Sequence, residues 1–183
     1  MRQTLKLHPD SPCDAVSRID VDVGRPCADA LVLRYAAAGR PGALRLPPAA
    51  SGRAEGLWRH TCFEAFVQAE PGGAYVELNF APSTQWAAYL FDGYRNGMRV
   101  AGGMAAPHID IQADGPAFAL QATLSLDGLP ELAREAAWCL GLSAVIEETN
   151  GRLSYWALAH PPGKADFHHA DCFALVLPAP SPP

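Results

Sequence analysis

Two alternating runs constrain this chain more than any other feature. The first is Gly56-Leu57-Trp58-Arg59-His60-Thr61-Cys62-Phe63-Glu64-Ala65-Phe66-Val67, and the second is Tyr75-Val76-Glu77-Leu78-Asn79-Phe80. Successive side chains of an extended backbone point to opposite sides, so a period of two sorts residues onto faces. Phe63, Ala65 and Val67 share one face, as do Val76, Leu78 and Phe80. The other face collects His60, Cys62, Glu64 and Phe66 from the first run and Tyr75, Glu77 and Asn79 from the second. The first face reads as core. The second, with rings, carboxylates and an amide, reads as the candidate functional surface.

The same alternation recurs along the chain. Thr4–His8 ends at Pro9, Val16–Val23 stops at Gly24, and Leu31–Tyr35 follows. Residues 36–56, rich in Ala, Gly and Pro, read as a long loop with a brief edge strand around Leu44-Arg45-Leu46. Gln85–Phe91 is a strand closed by Asp92-Gly93, and Gly97–Gly103 reads as a flexible stretch. His108–Gln112 and Phe118–Leu126 form a hairpin about Asp114-Gly115-Pro116, and Asn150-Gly151 turns Leu142–Glu147 back into Leu153–Ala159. Phe173–Leu177 closes the fold. One helix is expected over Leu129–Ala137, where Pro130 suits a first turn and the following residues are good helix formers. About ten short strands with one short helix predict an all-β protein. The expected fold is an antiparallel β-sandwich of jelly-roll or immunoglobulin-like type. It occupies residues 1–178, with a disordered Pro-rich tail at 179–183.

Composition narrows the function. A chain of 183 residues, 49% hydrophobic, supports one domain with a substantial core. The net charge of −5 and the scattered arginines argue against nucleic acid or an anionic membrane as partner. The N-terminal residues lack a signal-peptide core, and the chain reads as cytosolic. Five widely spaced cysteines without a C-x-x-C pair agree, and Cys62 reads as a buried thiol. Familiar P-loop, Rossmann, G-x-S-x-G and H-E-x-x-H signatures are absent from the sequence.

Three groups of residues could carry chemistry. His60, Glu64, Glu77 and Asn79 lie within reach of one another on neighbouring strands. With Trp58, Tyr75 and Trp86 they suit a sugar, which offers hydroxyls to bidentate partners and C–H faces to rings. A solvated outer sheet face is the alternative. His160, Asp166 and His168 have an H-x5-D-x-H spacing that could ligate zinc or another divalent metal, or simply tie down a loop. Arg95 could clamp a ligand anion or pair with Asp92. Tyr155 and Trp156 add further aromatic surface.

The segments Leu57–Phe66, Glu77–Ser83, Gln85–Tyr89, Tyr94-Arg95, Tyr155–His160 and Asp166–His169 together resemble the bacterial DOMON-like domain proteins. That group is related to the family-nine carbohydrate-binding modules and to haem-binding DOMON cytochrome domains. The resemblance covers roughly residues 4–178. It implies a β-sandwich and a ligand-binding role, with sugar or haem as the known ligands, and it implies no catalytic activity. A haem site would pair Met98 or Met104 with a histidine, although neither lies on a family motif.

The leading expectation is therefore a non-catalytic domain that binds a small polar ligand, a sugar among them, and needs no cofactor. Trp58, His60, Glu64, Tyr75, Glu77, Asn79, Trp86, Arg95, Tyr155 and Trp156 would form its site. The alternatives are a metal-dependent enzyme or metalloprotein built on His60, His160, Asp166 and His168, and a haem carrier. A homodimer through an exposed edge strand is a further expectation.

Overall fold

Alternation of apolar and polar residues gives thirteen strands in the computed structural model, which describes residues 1–69, 73–113, 117–129 and 132–180. In chain order they are β1 (Arg2–Leu7), β2 (Val16–Cys27), β3 (Ala30–Gly39), β4 (Gly52–Arg53), β5 (Cys62–Gln68), β6 (Tyr75–Phe80) and β7 (Gln85–Phe91). Then come β8 (Arg99–Val100), β9 (His108–Gln112), β10 (Ala117–Ser125), β11 (Trp138–Glu147), β12 (Leu153–Ala157) and β13 (Leu175–Leu177). Their order is β4-β7-β6-β5-β11-β12-β1-β2-β3-β10-β9, with β8 beside β7 and β13 beside β11. All pairings are antiparallel except the two-residue β4–β7 contact.

A single curled sheet makes both layers of the sandwich, and β1 is the corner. Its first half pairs with β2, and Lys6 and Leu7 pair with β12. Between the layers, Phe63 stacks on Phe118 at 5.9 Å and lies against Tyr35 at 5.1 Å. The fully buried Tyr35 hydroxyl donates to the Glu64 carbonyl at 2.6 Å, so this polar atom carried into the core is satisfied. Leu78, Phe80, Leu33 and Leu120 complete the centre.

The expected helix over Leu129–Ala137 does not form. Positions 130 and 131 lie outside the described residues, and residues 132–137 make turns. Side chains take the carbonyls a helix would use. The Trp138 indole donates to the Ala133 carbonyl at 2.9 Å, and the Arg25 guanidinium donates to those of Arg134 and Ala136 while lying over the Trp138 ring at 3.3 Å. The stretch Gly97–Gly103 also departs from expectation, because Arg99–Val100 pairs with Tyr89 and Leu90. The supposed loop at 36–56 is shortened by β3, which runs to Gly39. The hairpin turn at 114–116, residues 70–72 of the β5–β6 connection and residues 181–183 of the expected tail lie outside the described residues. No helix among the described residues is long and apolar enough to cross a membrane.

Candidate functional site

The parity expected for β5 and β6 holds. Glu64 faces Asn79 across the strand pair and Phe66 faces Glu77, so both carboxylates project from the side away from the core. That side is not a solvated sheet face. Every residue of β5 and β6 is buried. A second apolar cluster of Phe66, Tyr75, Ala87, Tyr89 and Phe91 covers it, with Leu57, Phe167 and Phe173 packed on top. The cover comes from the segment between β12 and β13 and from a 3-10 turn at Leu57–Arg59, entered through Gly56 in the left-handed conformation.

Sheet and cover enclose a cavity of about 360 Å³. That falls in the range of about 300–1,000 Å³ usual for small-molecule sites. Its floor carries Glu64 and Glu77, its walls include Trp58, Phe66, Phe91, Tyr155 and Phe167, and Arg95, Met98 and His168 close it. Trp58 stands edge-on to Tyr89 at 5.9 Å and is 36% exposed, which places it at the mouth.

Burial governs the electrostatics of the floor. Glu64 is 2% exposed, and the loss of hydration together with the charge of Glu77 pushes its carboxyl up to about 8, against a weaker opposing bond from Ser143. At neutral pH this carboxyl keeps its proton and can donate. Glu77 is also raised by burial, but the Asn79 amide, donating to its Oε1 at 2.7 Å, and the charge of Arg95 limit the rise. His168 is partly buried beside Arg95, and desolvation brings it down to about 4, so its ring is neutral. The Tyr75 hydroxyl accepts from the Arg95 backbone N–H at 3.2 Å and lies 2.8 Å from His168 Nδ1. With the Arg95 N–H already on its oxygen, the phenol has its own proton free for Nδ1, and on that ground we assign the imidazole hydrogen to Nε2, which lies 3.8 Å from Glu77 Oε2.

A clasp holds the cover down. Asp166 accepts from the Tyr94 hydroxyl and, at 2.8 Å, from the Arg95 guanidinium. Burial alone would raise Asp166, but those two donors outweigh it and hold the carboxyl below its ordinary range.

Of the residues expected to form the site, Trp58, Glu64, Glu77, Arg95 and Tyr155 line the cavity. Tyr75 and Asn79 lie behind it and orient His168 and Glu77. Three further expected site residues are placed elsewhere. Trp86 sits opposite Phe80 in the β6–β7 register, so it shares the core face and stacks under Arg53 at 4.0 Å. Trp156 sits opposite Ala144 and is likewise a core residue. His60 lies two residues before β5, 2.7 Å from Glu147, with its side chain 61% exposed. His160, Asp166 and His168 do not converge either. His160 donates to the Lys6 carbonyl, Asp166 holds Arg95 and Tyr94, and His168 faces the cavity. No group of three or more His, Cys, Asp or Glu among the described residues is placed to hold a metal ion. Met104 is packed in the core, whereas Met98 borders the cavity. Cys62 is fully buried, and desolvation raises its thiol well above the ordinary range.

Phe91, Phe167 and Val145 line the cavity without having been expected there. Parity alone could have found Phe91, since it pairs with Tyr75 and stacks on it at 4.7 Å. Phe167 lies in irregular chain, where no period exists to read.

No protein-family model and no curated protein matches the sequence. Solved structures do share its architecture. A candidate carbohydrate-binding protein from Bacteroides uniformis superposes with a TM-score of 0.67 at 12% identity, over 94% of this chain and 83% of that one. A family 9 carbohydrate-binding module from Caldicellulosiruptor kristjanssonii, in complex with cellotriose, gives a TM-score of 0.46 at 10% identity, over 87% of this chain and 75% of that one. The same module with glucose gives 0.46 and 10%, over 87% and 76%. The first likeness establishes a shared β-sandwich fold, and identities this low speak to fold alone.

Proposed function

We propose that this protein is a non-catalytic carbohydrate-binding domain of DOMON-like type, whose ligand occupies the cavity above Glu64 and Glu77. One observation carries the proposal: a floor of two carboxyl groups and a wall of aromatic rings meet in one cavity of about 360 Å³. Sugars require that combination, because the same ring offers hydroxyls on its edge and apolar C–H faces above and below. Glu64 supplies an O–H donor, Glu77 an acceptor and His168 an N–H donor, so hydroxyls of either polarity find partners. The name of the Bacteroides uniformis protein of like fold points the same way.

The placement of the acids on one side of the cavity supports binding without turnover. Glycoside hydrolysis uses two carboxyl groups flanking the scissile bond, about 5–9.5 Å apart. Glu64 and Glu77 rise from neighbouring strands of one floor and would approach a sugar from the same side.

Calorimetric titration with a panel of neutral mono- and disaccharides, glucose included, tests the proposal. At least one should bind, and Trp58→Ala should weaken it tenfold or more while the half-exposed indole costs the fold little. Failure of every saccharide to bind, or binding indifferent to Trp58, would overturn it.

A further inference from the structure

The cavity is anionic by formal count. Glu64 and Glu77 lie on its floor, 2% and 5% exposed. Arg95, the guanidinium at its rim, is committed to Asp166 at 2.8 Å, and His168 is neutral with its Nδ1 occupied by the Tyr75 hydroxyl. Among the described residues, Glu64 accepts from Ser143 through Oε2 and Glu77 from Asn79 through Oε1. Each carboxyl therefore keeps one oxygen with no protein donor among the described residues, and for Glu77 that oxygen lies 3.8 Å from His168 Nε2. Both side chains are more than nine-tenths buried and line the cavity. Above them stand the faces and edges of Trp58, Phe66, Phe91, Tyr155 and Phe167.

A buried carboxyl in low dielectric either keeps its proton, as Glu64 does in the free protein, or is stabilised in its ionised form by a positive partner. Aromatic rings attract a cation further through their quadrupole, by about 0.5–2 kcal/mol when it is desolvated. We infer that the ligand carries a protonated amine beside its hydroxyls, as an amino sugar does, and that the amine docks between Glu64, Glu77 and the ring wall. This rests on the carbohydrate reading and narrows it to one chemical class. An N–H of the ammonium reaches the open oxygen of each glutamate, and the hydroxyls are left to the His168 Nε2–H and the rings.

A proton must leave when such a ligand binds near neutral pH. Glu64 holds a proton in the free protein, and an adjacent ammonium stabilises its ionised form, so the carboxyl releases that proton to buffer. A neutral sugar leaves it in place.

Calorimetry at about pH 7 with glucosamine, glucose and N-acetylglucosamine, each in two buffers of different ionisation heat, separates the cases. Glucosamine should bind at least tenfold tighter than the other two, and its apparent heat should shift between buffers as proton release requires. Glu64→Gln should abolish the buffer dependence, and Glu77→Gln should erase most of the preference. Glucose or N-acetylglucosamine binding as tightly as glucosamine would overturn the amine inference and leave the carbohydrate reading standing. Binding of glucosamine with no proton release and no loss in Glu77→Gln would also overturn it. No binding by any of the three, nor by the wider neutral panel, would remove both.

Discussion

Replacing Glu64 by glutamine should change how stability depends on pH. The unfolded carboxyl titrates near 4.5, and the folded one is pushed up to about 8. Between those values the folded chain keeps a proton that the unfolded chain has lost. Stability therefore falls as pH rises, by about 1.4 kcal/mol per pH unit for one proton. His168 works in the opposite sense. Its folded value is about 4 against an ordinary 6.5, so over that interval the unfolded chain binds the extra proton and stability rises with pH. The two slopes oppose each other at acid pH; above 6.5 His168 no longer contributes, and Glu64, with a smaller part of the same sign from Glu77, governs up to about 8. Across that window the wild type should lose about 2 kcal/mol. Glu64→Gln keeps an acceptor for Ser143 and removes the titrating group, so its stability should be nearly flat there. Urea unfolding followed by tryptophan fluorescence at the two ends of the window measures both slopes. A wild type with no decline, or a glutamine variant that declines as steeply, would refute the assignment of a buried, proton-retaining carboxyl.

Two other perturbations probe the frame of the site. Asp166→Asn removes the charge from the clasp; with the Arg95 side chain 53% exposed, the pair is of surface type and its loss should cost below about 1 kcal/mol of global stability. Limited proteolysis should nevertheless cut the 158–173 cover several-fold faster, and an unchanged cleavage rate would show that the clasp does not hold it. Gly97→Ala should destabilise by about 1–3 kcal/mol, a strained-backbone cost. Gly97 has φ of 67°, and a Cβ there would clash with Asp92 Oδ2, displacing the carboxylate that holds Arg99. A thermal midpoint equal to wild type would refute the tight turn.

Strand parity made the floor of the site legible. A period of two puts Glu64, Glu77, Phe66 and Asn79 on one face because β5 and β6 are regular and uninterrupted. The same rule fails across a turn when its register is unknown. Residues 81–85 place Trp86 opposite Phe80, so its ring goes to the core, a fact held in the length of the turn rather than in the strand. The helix expected over Leu129–Ala137 fails because propensity is local, whereas the competing donors Arg25 and Trp138 come from β2 and β11. The cover was least legible. Asp166, Phe167 and His168 lie in chain without a period, and their partners Arg95, Tyr94 and Tyr75 are 71 to 93 positions distant.

The strained backbone of the site connects these observations. Arg95 has φ of 51°, a left-handed conformation that costs an ordinary residue roughly 1–2 kcal/mol. Three contacts hold it there: its N–H to the Tyr75 hydroxyl at 3.2 Å, and its guanidinium with the neighbouring Tyr94 hydroxyl on Asp166. By accepting from Arg95, the phenol is left with its own proton aimed at His168 Nδ1, which puts the imidazole hydrogen on Nε2. That N–H then faces Glu77 Oε2 across 3.8 Å, too wide for a direct bond. A ligand group beside both would accept from Nε2–H and donate to Glu77 in a geometry fixed before it arrives. The turn at 92–97 therefore pays in backbone strain for orienting two side chains it does not itself contribute, and a relaxed residue at 95 would lose that orientation first.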